Sequence, residues 1–469
     1  MSILKFSKIE TVLNSSIIIK HVNNLYTKRI NPSNVCYHYE ISKHFHQTDL
    51  HTYTKKYIQR WFCLLVANNE HLDLSFDLIE NVLSSSDLEI TSEIELLNAA
   101  DFWIKHDGRK RSKFAIKLIK KIRLPLLSIA ALEKLLTDGN SFSKCVDCKN
   151  YIQKAISNKL EKSVDLSSID CQHRYCSQEN FEIMPSGRTL KKYKIFKLNN
   201  RTITEDTSLK VMVGSSLDSR NSVFINGVVY FFNNNVVNSY SIFTNVIEEF
   251  NLPNKHLGRF CACNFMGRIY ILGGYSENPL GYGRSCFVFN PTSKTWEERS
   301  KMKDSRIDAA CAVFGGRVVV SGGGTELQRV PWIQEKKTVE VYDQCSNEWS
   351  QLPDMIEARS GHASVSIKNK LYVISGIGTR QCEVFDSFSR VFVRILPEMP
   401  LLGLRNRIEP MCAALGSKII IFRSLRLEEN VLFDVEKEEW SEVKENVSPI
   451  RKGSKNRCFF CSCLKIPWL

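Results

Sequence analysis

The feature that most constrains this chain is a repeat. Tyr240, Phe289, Tyr342, Phe385 and Phe433 follow one another at intervals of 43 to 53 residues, and each is followed seven residues later by another large apolar residue: Ile247, Trp296, Trp349, Phe392 and Trp440. Polar turn residues fill the gap, as in Phe289-Asn-Pro-Thr-Ser-Lys-Thr-Trp296. A strand, a tight turn and a returning strand satisfy that spacing, so each copy predicts a β-hairpin. Upstream of each pair lies a β-rich run opened by a turn: 226–232, 266–274, 315–323, 368–376 and 416–422.

An arginine precedes several of these runs (Arg259, Arg306, Arg359 and Arg407) and heads an apolar stretch such as Ile307-Asp-Ala-Ala-Cys-Ala-Val-Phe314, which reads as an innermost strand. Four short strands per unit at this period are expected to form the blades of a β-propeller. The diglycines Gly273-Gly274 and Gly322-Gly323, the aromatic residues followed by Asp or Asn, and the aligned tryptophans together resemble the kelch repeat family. That resemblance implies six blades. Five are readable, and the strands expected at Leu209–Gly214 and Asn456–Cys463 would close a sixth from opposite ends of the chain. The first and last copies are degraded: one lacks the tryptophan and diglycine, and the other has Phe422-Arg423 where glycines belong.

Ahead of the repeat, apolar residues fall at helical spacing. Ile94, Leu97 and Ile104 share one face, with Ser92 and Glu95 placed as a capping box. A following helix, near Arg109 to Arg123, is expected to bury Ala115, Leu118, Ile119 and Ile122 and to end before Leu124-Pro125. The segment Ala100-Asp-Phe-Trp-Ile-Lys-His-Asp107, followed by Ile122-Arg-Leu-Pro-Leu-Leu127, resembles the BACK domain that precedes kelch propellers, with residues 34–62 similar to its first helix pair. The fold class expected is therefore multidomain, an all-α BACK domain over 33–162 followed by an all-β kelch propeller over 208–469, joined by a linker at 163–207. The BTB-BACK-kelch family places a BTB domain first. Here only Val22–Asn31 resembles its final stretch, so residues 1–32 are expected as a remnant.

Bulk properties narrow the function classes. With 43% hydrophobic and 24% charged residues the sequence is that of a globular protein of two or three domains. No apolar run has the length of a signal-peptide core or a membrane span, so the expected address is cytoplasmic, with the 16 cysteines mostly free thiols. The net charge of +14 comes in clusters such as Arg109-Lys110-Arg111 without interleaved aromatics, and these read as solvated helix faces rather than a nucleic-acid surface.

Catalytic and metal patterns are sparse. Cys145/Cys148 with Cys171/Cys176 have irregular zinc spacing, and Cys458, Cys461 and Cys463 read as small buried hydrophobes. Gly322-Gly-Gly324 ends a strand without the helix or lysine of a phosphate loop and reads as a turn needing positive φ. Neither a nucleophile elbow nor a zincin helix occurs, so no enzyme, cofactor or metal is expected. Two long connections, 275–285 and 325–337, are expected to carry partner binding. Tyr282, Arg284, Arg329 and Trp332 are the candidate anchors, together with the loop arginines Arg306 and Arg359, because Tyr, Trp and Arg dominate interface energetics.

By resemblance, the implied function is substrate recognition for a cullin-RING (cullin-three) ubiquitin ligase. The propeller would grip a target protein, through an acidic or phosphorylated segment, and the helix pair at 34–62 would lean on the cullin. Two alternatives stay open at this point: an actin-binding kelch protein, and a truncated competitor that binds targets without recruiting a ligase. Nucleic acid and membrane are not expected partners.

Overall fold

The structure is a computed structural model; it describes most of residues 30–161 and 222–445, and otherwise the strands at 181–183, 185–187, 192–199, 202–212 and 458–460. Ten α-helices are described: α1 Val35–His44, α2 Thr48–Arg60, α3 Phe62–Ala67, α4 Phe76–Ser84, α5 Glu93–His106, α6 Gly108–Arg111, α7 Ala115–Ile119, α8 Ile129–Thr137, α9 Ser141–Lys144 and α10 Val146–Leu160. They surround one apolar core in which Phe62, Leu65, Ile79, Leu96, Trp103, Leu118, Ile119 and Phe142 are buried. Trp103 donates its indole N–H to Leu74 O at 2.9 Å, which satisfies the polar atom a buried tryptophan carries.

Local chemistry sets the helix ends. Ser92 caps α5 by accepting from Ile94 N at 3.3 Å, and Ser128 caps α8 by accepting from Ala131 N at 3.2 Å. The box expected of Ser92 and Glu95 extends one residue further, because the Glu95 carboxylate takes the backbone N–H of Thr91, at 3.0 Å, as well as that of Ser92. The helix expected over 109–123 is broken into α6, a 3-10 turn at Ser112–Phe114 and α7, yet Ala115, Leu118, Ile119 and Ile122 are buried as their spacing predicts. Nor is the basic cluster wholly solvated. Arg111 lies over the Trp103 ring at 4.2 Å and donates to Leu72 O and Trp103 O at 2.9 and 3.0 Å, so it caps the helical core.

Five four-stranded antiparallel blades follow. Blade 1 is Ser222–Ile225, Val228–Phe232, Val236–Ser241 and Ile247–Asn251; blade 2 is Cys261–Phe265, Arg268–Leu272, Cys286–Asn290 and Thr295–Glu298. Blade 3 is Ala310–Phe314, Arg317–Ser321, Val339–Asp343 and Glu348–Leu352, and blade 4 is Ala363–Ile367, Lys370–Ile374, Glu383–Asp386 and Phe392–Arg394. Blade 5 is Met411–Leu415, Lys418–Phe422, Val431–Asp434 and Glu439–Glu442. The first strand of each blade touches the first strand of the next, so these five line the axis.

The spacing of seven is the register of the two outer strands. Tyr240 faces Ile247, Phe289 faces Trp296, Tyr342 faces Trp349, Phe385 faces Phe392 and Phe433 faces Trp440 as direct partners. Each tryptophan also reaches the preceding blade: Trp296, Trp349 and Trp440 donate Nε1–H to Asn251 O, Ser300 O and Pro397 O at 2.9, 2.7 and 2.8 Å. One side chain thereby closes its own hairpin and ties it to its neighbour.

Both expected stretches contain strands, 209–212 within Thr202–Met212 and Cys458–Phe460, but the two lie in different sheets and do not pair with each other. Phe181–Ile183, Lys192–Asn199 and Thr202–Met212 pair antiparallel, and Lys444–Glu445 adds to them in parallel. Cys458–Phe460 pairs with Pro185–Gly187 in a separate two-stranded sheet. The stretch expected as linker thus contributes strands, in keeping with its apolar Tyr193, Ile195, Phe196 and Leu198 set between lysines, with a register shift between Tyr193 and Ile195.

The helical unit sits on the propeller end that carries the turns between first and second strands and between third and fourth. Met266 N donates to Thr91 Oγ1 at 2.7 Å, Trp61 meets Phe224 edge-on at 6.4 Å, and Cys345 packs against the helical core.

Candidate binding face of the propeller

The opposite end is formed by the connections between second and third strands and between the last strand of one blade and the first of the next. Both long connections leave second strands here, as the repeat pattern requires. One of them folds in part into a hairpin, with Gly324–Glu326 antiparallel to Ile333–Glu335.

The loop arginines do not behave as the sequence led us to expect. Arg306 and Arg359 are fully buried, so neither is free to anchor a partner. Arg306 donates from Nη1 to Gly322 O and Thr338 O at 2.7 and 2.8 Å, and from Nε and Nη2 to Glu340 Oε1 at 3.2 and 3.1 Å. Arg359 repeats most of the arrangement one blade on, with Nη1 donating to Ser375 O at 2.9 Å and Gln381 O at 2.6 Å and Nη2 to the Glu383 carboxylate, while its buried Nε has no partner among the described residues. The two glutamates then accept backbone N–H groups: Glu340 from Lys303 and Asp304 at 2.7 and 3.0 Å, Glu383 from Ile356 and Glu357 at 2.7 and 3.1 Å. A buried guanidinium is tolerable only when most of its donors are matched in this way. These arginines hold the loop that crosses between blades.

Arg259 belongs to a different position. Arg306 and Arg359 stand four residues ahead of their first strands, whereas Arg259 stands two ahead of Cys261. Its structural equivalents are Asp308 and Gly361, and all three have positive φ, at 56°, 49° and 58°. Asp308 N donates to Arg259 O at 2.9 Å and Gly361 N to Asp308 O at 2.8 Å, so successive blades are linked by backbone around the axis. The Arg259 side chain pairs with the Asp308 carboxylate, Nε lying 3.0 Å from each oxygen. Arg407 lies outside the described residues.

The diglycines make room for this loop. Gly274 N donates to Arg306 O at 2.9 Å, and a Cβ on Gly273 would stand 2.4 Å from that oxygen. Gly323 N and Gly322 stand in the same relation to Arg359 O, at 2.9 and 2.6 Å. The motif therefore records close backbone approach together with positive φ, 54° at Gly322 and 78° at Gly323.

What the face presents to solvent is a set of charges, many of them paired within it. Lys336 meets Asp304 at 3.2 Å, Arg380 meets Glu398 at 3.1 Å, and Ser360 Oγ donates to Glu335 at 2.7 Å. Arg284 is exposed, steadied by its Nε–H donating to Met302 O at 2.7 Å, and Tyr275 is exposed beside it at the start of the long connection. Tyr282, Arg329 and Trp332 lie outside the described residues. Sequence reasoning missed Glu340 and Glu383. The available signal was a glutamate two residues before the blade aromatics Tyr342 and Phe385, at strand positions where blades 1, 2 and 5 have Asn238, Phe287 and Val431.

No group of three or more metal-ligating side chains is placed to hold an ion among the described residues, and no helix there is long and apolar enough to cross a membrane. Cys148 is buried and Cys145 stands at the α10 N-cap; Cys171 and Cys176 lie outside the described residues. His362 is buried 2.8 Å from Ser321 Oγ, and desolvation, with the charges of Arg359 and Arg306, lowers its pKa to about 3. It stays neutral.

In the helical unit, α1 and α2 pack through Tyr39 and His51, whose rings lie 4.5 Å apart, and through Ser42 Oγ, 3.3 Å from His51 Nδ1. Tyr37 on α1 points outward, 59% exposed.

Comparison with known proteins agrees with this architecture. A family model described as BACK, BTB And C-terminal Kelch, matches residues 35–137, and the Kelch motif matches 256–303 and 305–356. The chain is 23% identical to Kelch-like protein 6 of Homo sapiens over 350 residues, 75% of this chain and 50% of that protein. It is 23% identical to Kelch-like protein 26 of Danio rerio, covering 69% of this chain and 47% of the relative. Kelch-like protein 7 of Rattus norvegicus is 22% identical across 86% of this chain and 69% of its own length. The chain thus spans about half the length of the first two relatives.

Proposed function

For a chain that joins a BACK domain to a kelch propeller, we propose the role of substrate-recognition adaptor in a cullin-three ubiquitin ligase. The supporting observation is the polarity of the molecule. Blades 1, 2 and 3 meet the helical unit at one end, through Phe224, Met266 and Cys345, and the long connections leave from the other end. A target held at the loop face would be presented at a set distance from whatever the outer face of α1 and α2 contacts. The chain itself supplies placement, which raises effective concentration for chemistry performed by partners.

Within this reading, target contact falls to Arg284 and, on the two long connections, to Tyr282, Arg329 and Trp332. Arg306 and Arg359 shape the face from below. The cullin contact falls to the exposed side of the helix pair around Tyr37. The test is a binding measurement between the full 469-residue chain and purified cullin-three, beside a fusion carrying a BTB domain. Binding by the chain itself, reduced at least tenfold by Tyr37→Glu, supports the adaptor reading. Binding by the fusion alone, unaffected by Tyr37→Glu, overturns the role of the helix pair.

A further inference from the structure

Three thiols from two blades meet beside the propeller axis. Side chains alternate along a strand, and here the alternation aims cysteines at one another. On the first strand of blade 2, Cys261, Cys263 and Phe265 pack toward blade 3, whereas Ala262 packs toward blade 1. On the first strand of blade 3, Cys311 and Val313 pack back toward blade 2, whereas Ala312 and Phe314 face blade 4. Cys311 thus lies in the same side-chain layer as Cys261 and Cys263. Those neighbouring thiols, followed by burial, push the Cys311 thiol well above its ordinary range and keep it protonated.

The thiols are not equivalent. Cys261 is buried and its thiol is oriented by a hydrogen bond to Leu272 O at 3.6 Å. Cys263 and Cys311 are each only partly buried as residues, unlike Cys261. All three are free thiols.

We propose that Cys263 and Cys311 form a peroxide-responsive cross-link between blades 2 and 3. The Cys263 sulfur, as its thiolate, attacks a peroxide oxygen, giving a sulfenic acid and, with one proton, water. The second thiol attacks that sulfur and expels the hydroxyl as a second water, leaving the S–S bond. Two electrons pass from the thiol pair to hydrogen peroxide, and both thiol protons leave in water. The bond would join strands whose leading residues, Arg259 and Asp308, are already linked by backbone at the loop face, so oxidation would stiffen the binding face at that point.

The experiment treats the reduced full chain with hydrogen peroxide, blocks remaining thiols under denaturing conditions and maps peptides by mass spectrometry. The expected result is a peptide joining Cys263 to Cys311, the loss of two thiols per chain, reversal by dithiothreitol and a higher urea midpoint for the oxidised protein. Cys311→Ala, flanked by Ala310 and Ala312, should abolish the link and the shift in midpoint. Sulfinic or sulfonic acid at Cys311 without linkage, or unchanged thiols under conditions that oxidise a dithiol control peptide, would overturn the proposal. So would a link from Cys261 that persists in Cys263→Ala.

Discussion

Two nitrogens of Arg306, Nε and Nη2, converge on a single oxygen of Glu340, at 3.2 and 3.1 Å, with both side chains withdrawn from solvent. The arginine sits in the loop that enters blade 3 and the glutamate on its third strand. The pair, with the carbonyls of Gly322 and Thr338, turns an irregular crossing into a fixed part of the blade. Arg359 and Glu383 form the corresponding pair in blade 4, through Nη2 alone.

Removing one member of such a pair leaves the other charged and buried. Arg359→Ala should destabilise the protein by about 3–5 kcal/mol, and Arg359→Lys should recover only part of that, since an ammonium cannot match the fork. Urea unfolding monitored by tryptophan fluorescence gives the comparison. Equal stabilities of wild type and Arg359→Ala would show that the pair contributes nothing net.

The diglycine argument separates strain from clash. Gly315 and Gly322 both have positive φ, but a Cβ meets nothing within 4 Å at Gly315, and meets Arg359 O at 2.6 Å at Gly322. Gly315→Ala should cost about 1 kcal/mol. Gly322→Ala should cost several times more and speed exchange of the Gly323 amide, measured by hydrogen–deuterium exchange. Equal costs would mean that the approaching loop moves aside.

Trp349→Phe keeps the stacking against Tyr342, whose ring centroid lies 5.1 Å away, but removes the donor to Ser300 O. The expected loss is about 1 kcal/mol. Trp349→Ala removes both and should cost about 3–5 kcal/mol. Thermal melts of the two variants distinguish the tie between blades from the packing within one.

His362 predicts a pH dependence. Its pKa is lowered to about 3 in the fold against an ordinary value of 6.5, so below pH 6.5 the unfolded chain binds a proton that the fold does not. Stability from this group is fully present above pH 6.5 and falls by about 1.4 kcal/mol per pH unit as the pH drops toward 3. His362→Gln should flatten that part of the stability–pH curve, measured by urea unfolding at intervals of one unit. An unchanged slope would show that His362 is charged or exposed in the native state.

The joint between the two units can be probed at Thr91. Thr91→Val removes the acceptor for Met266 N, leaving that donor unsatisfied at a cost of about 1–3 kcal/mol, whereas Thr91→Ser keeps it. Exchange of the Met266 amide should rise in the first variant and not in the second.

Much of this molecule follows from local rules. The spacing of seven is the register of the outer hairpin in every described blade, because two residues flanking a tight turn must face each other. Ala115, Leu118, Ile119 and Ile122 are inside because helical periodicity puts them on one face. What the sequence did not decide are contacts between residues far apart in the chain. Arg259, Arg306 and Arg359 look alike as a list, yet a shift of two positions along the loop makes one a partly exposed partner of Asp308 and the others interior supports. Their carboxylates lie 24 to 49 residues away and become neighbours only when strands assemble around an axis. The fates of Cys263 and Cys311 were likewise set by which sides of two first strands face each other. Period and turn chemistry are properties of a segment, whereas burial and charge pairing belong to the assembled blades.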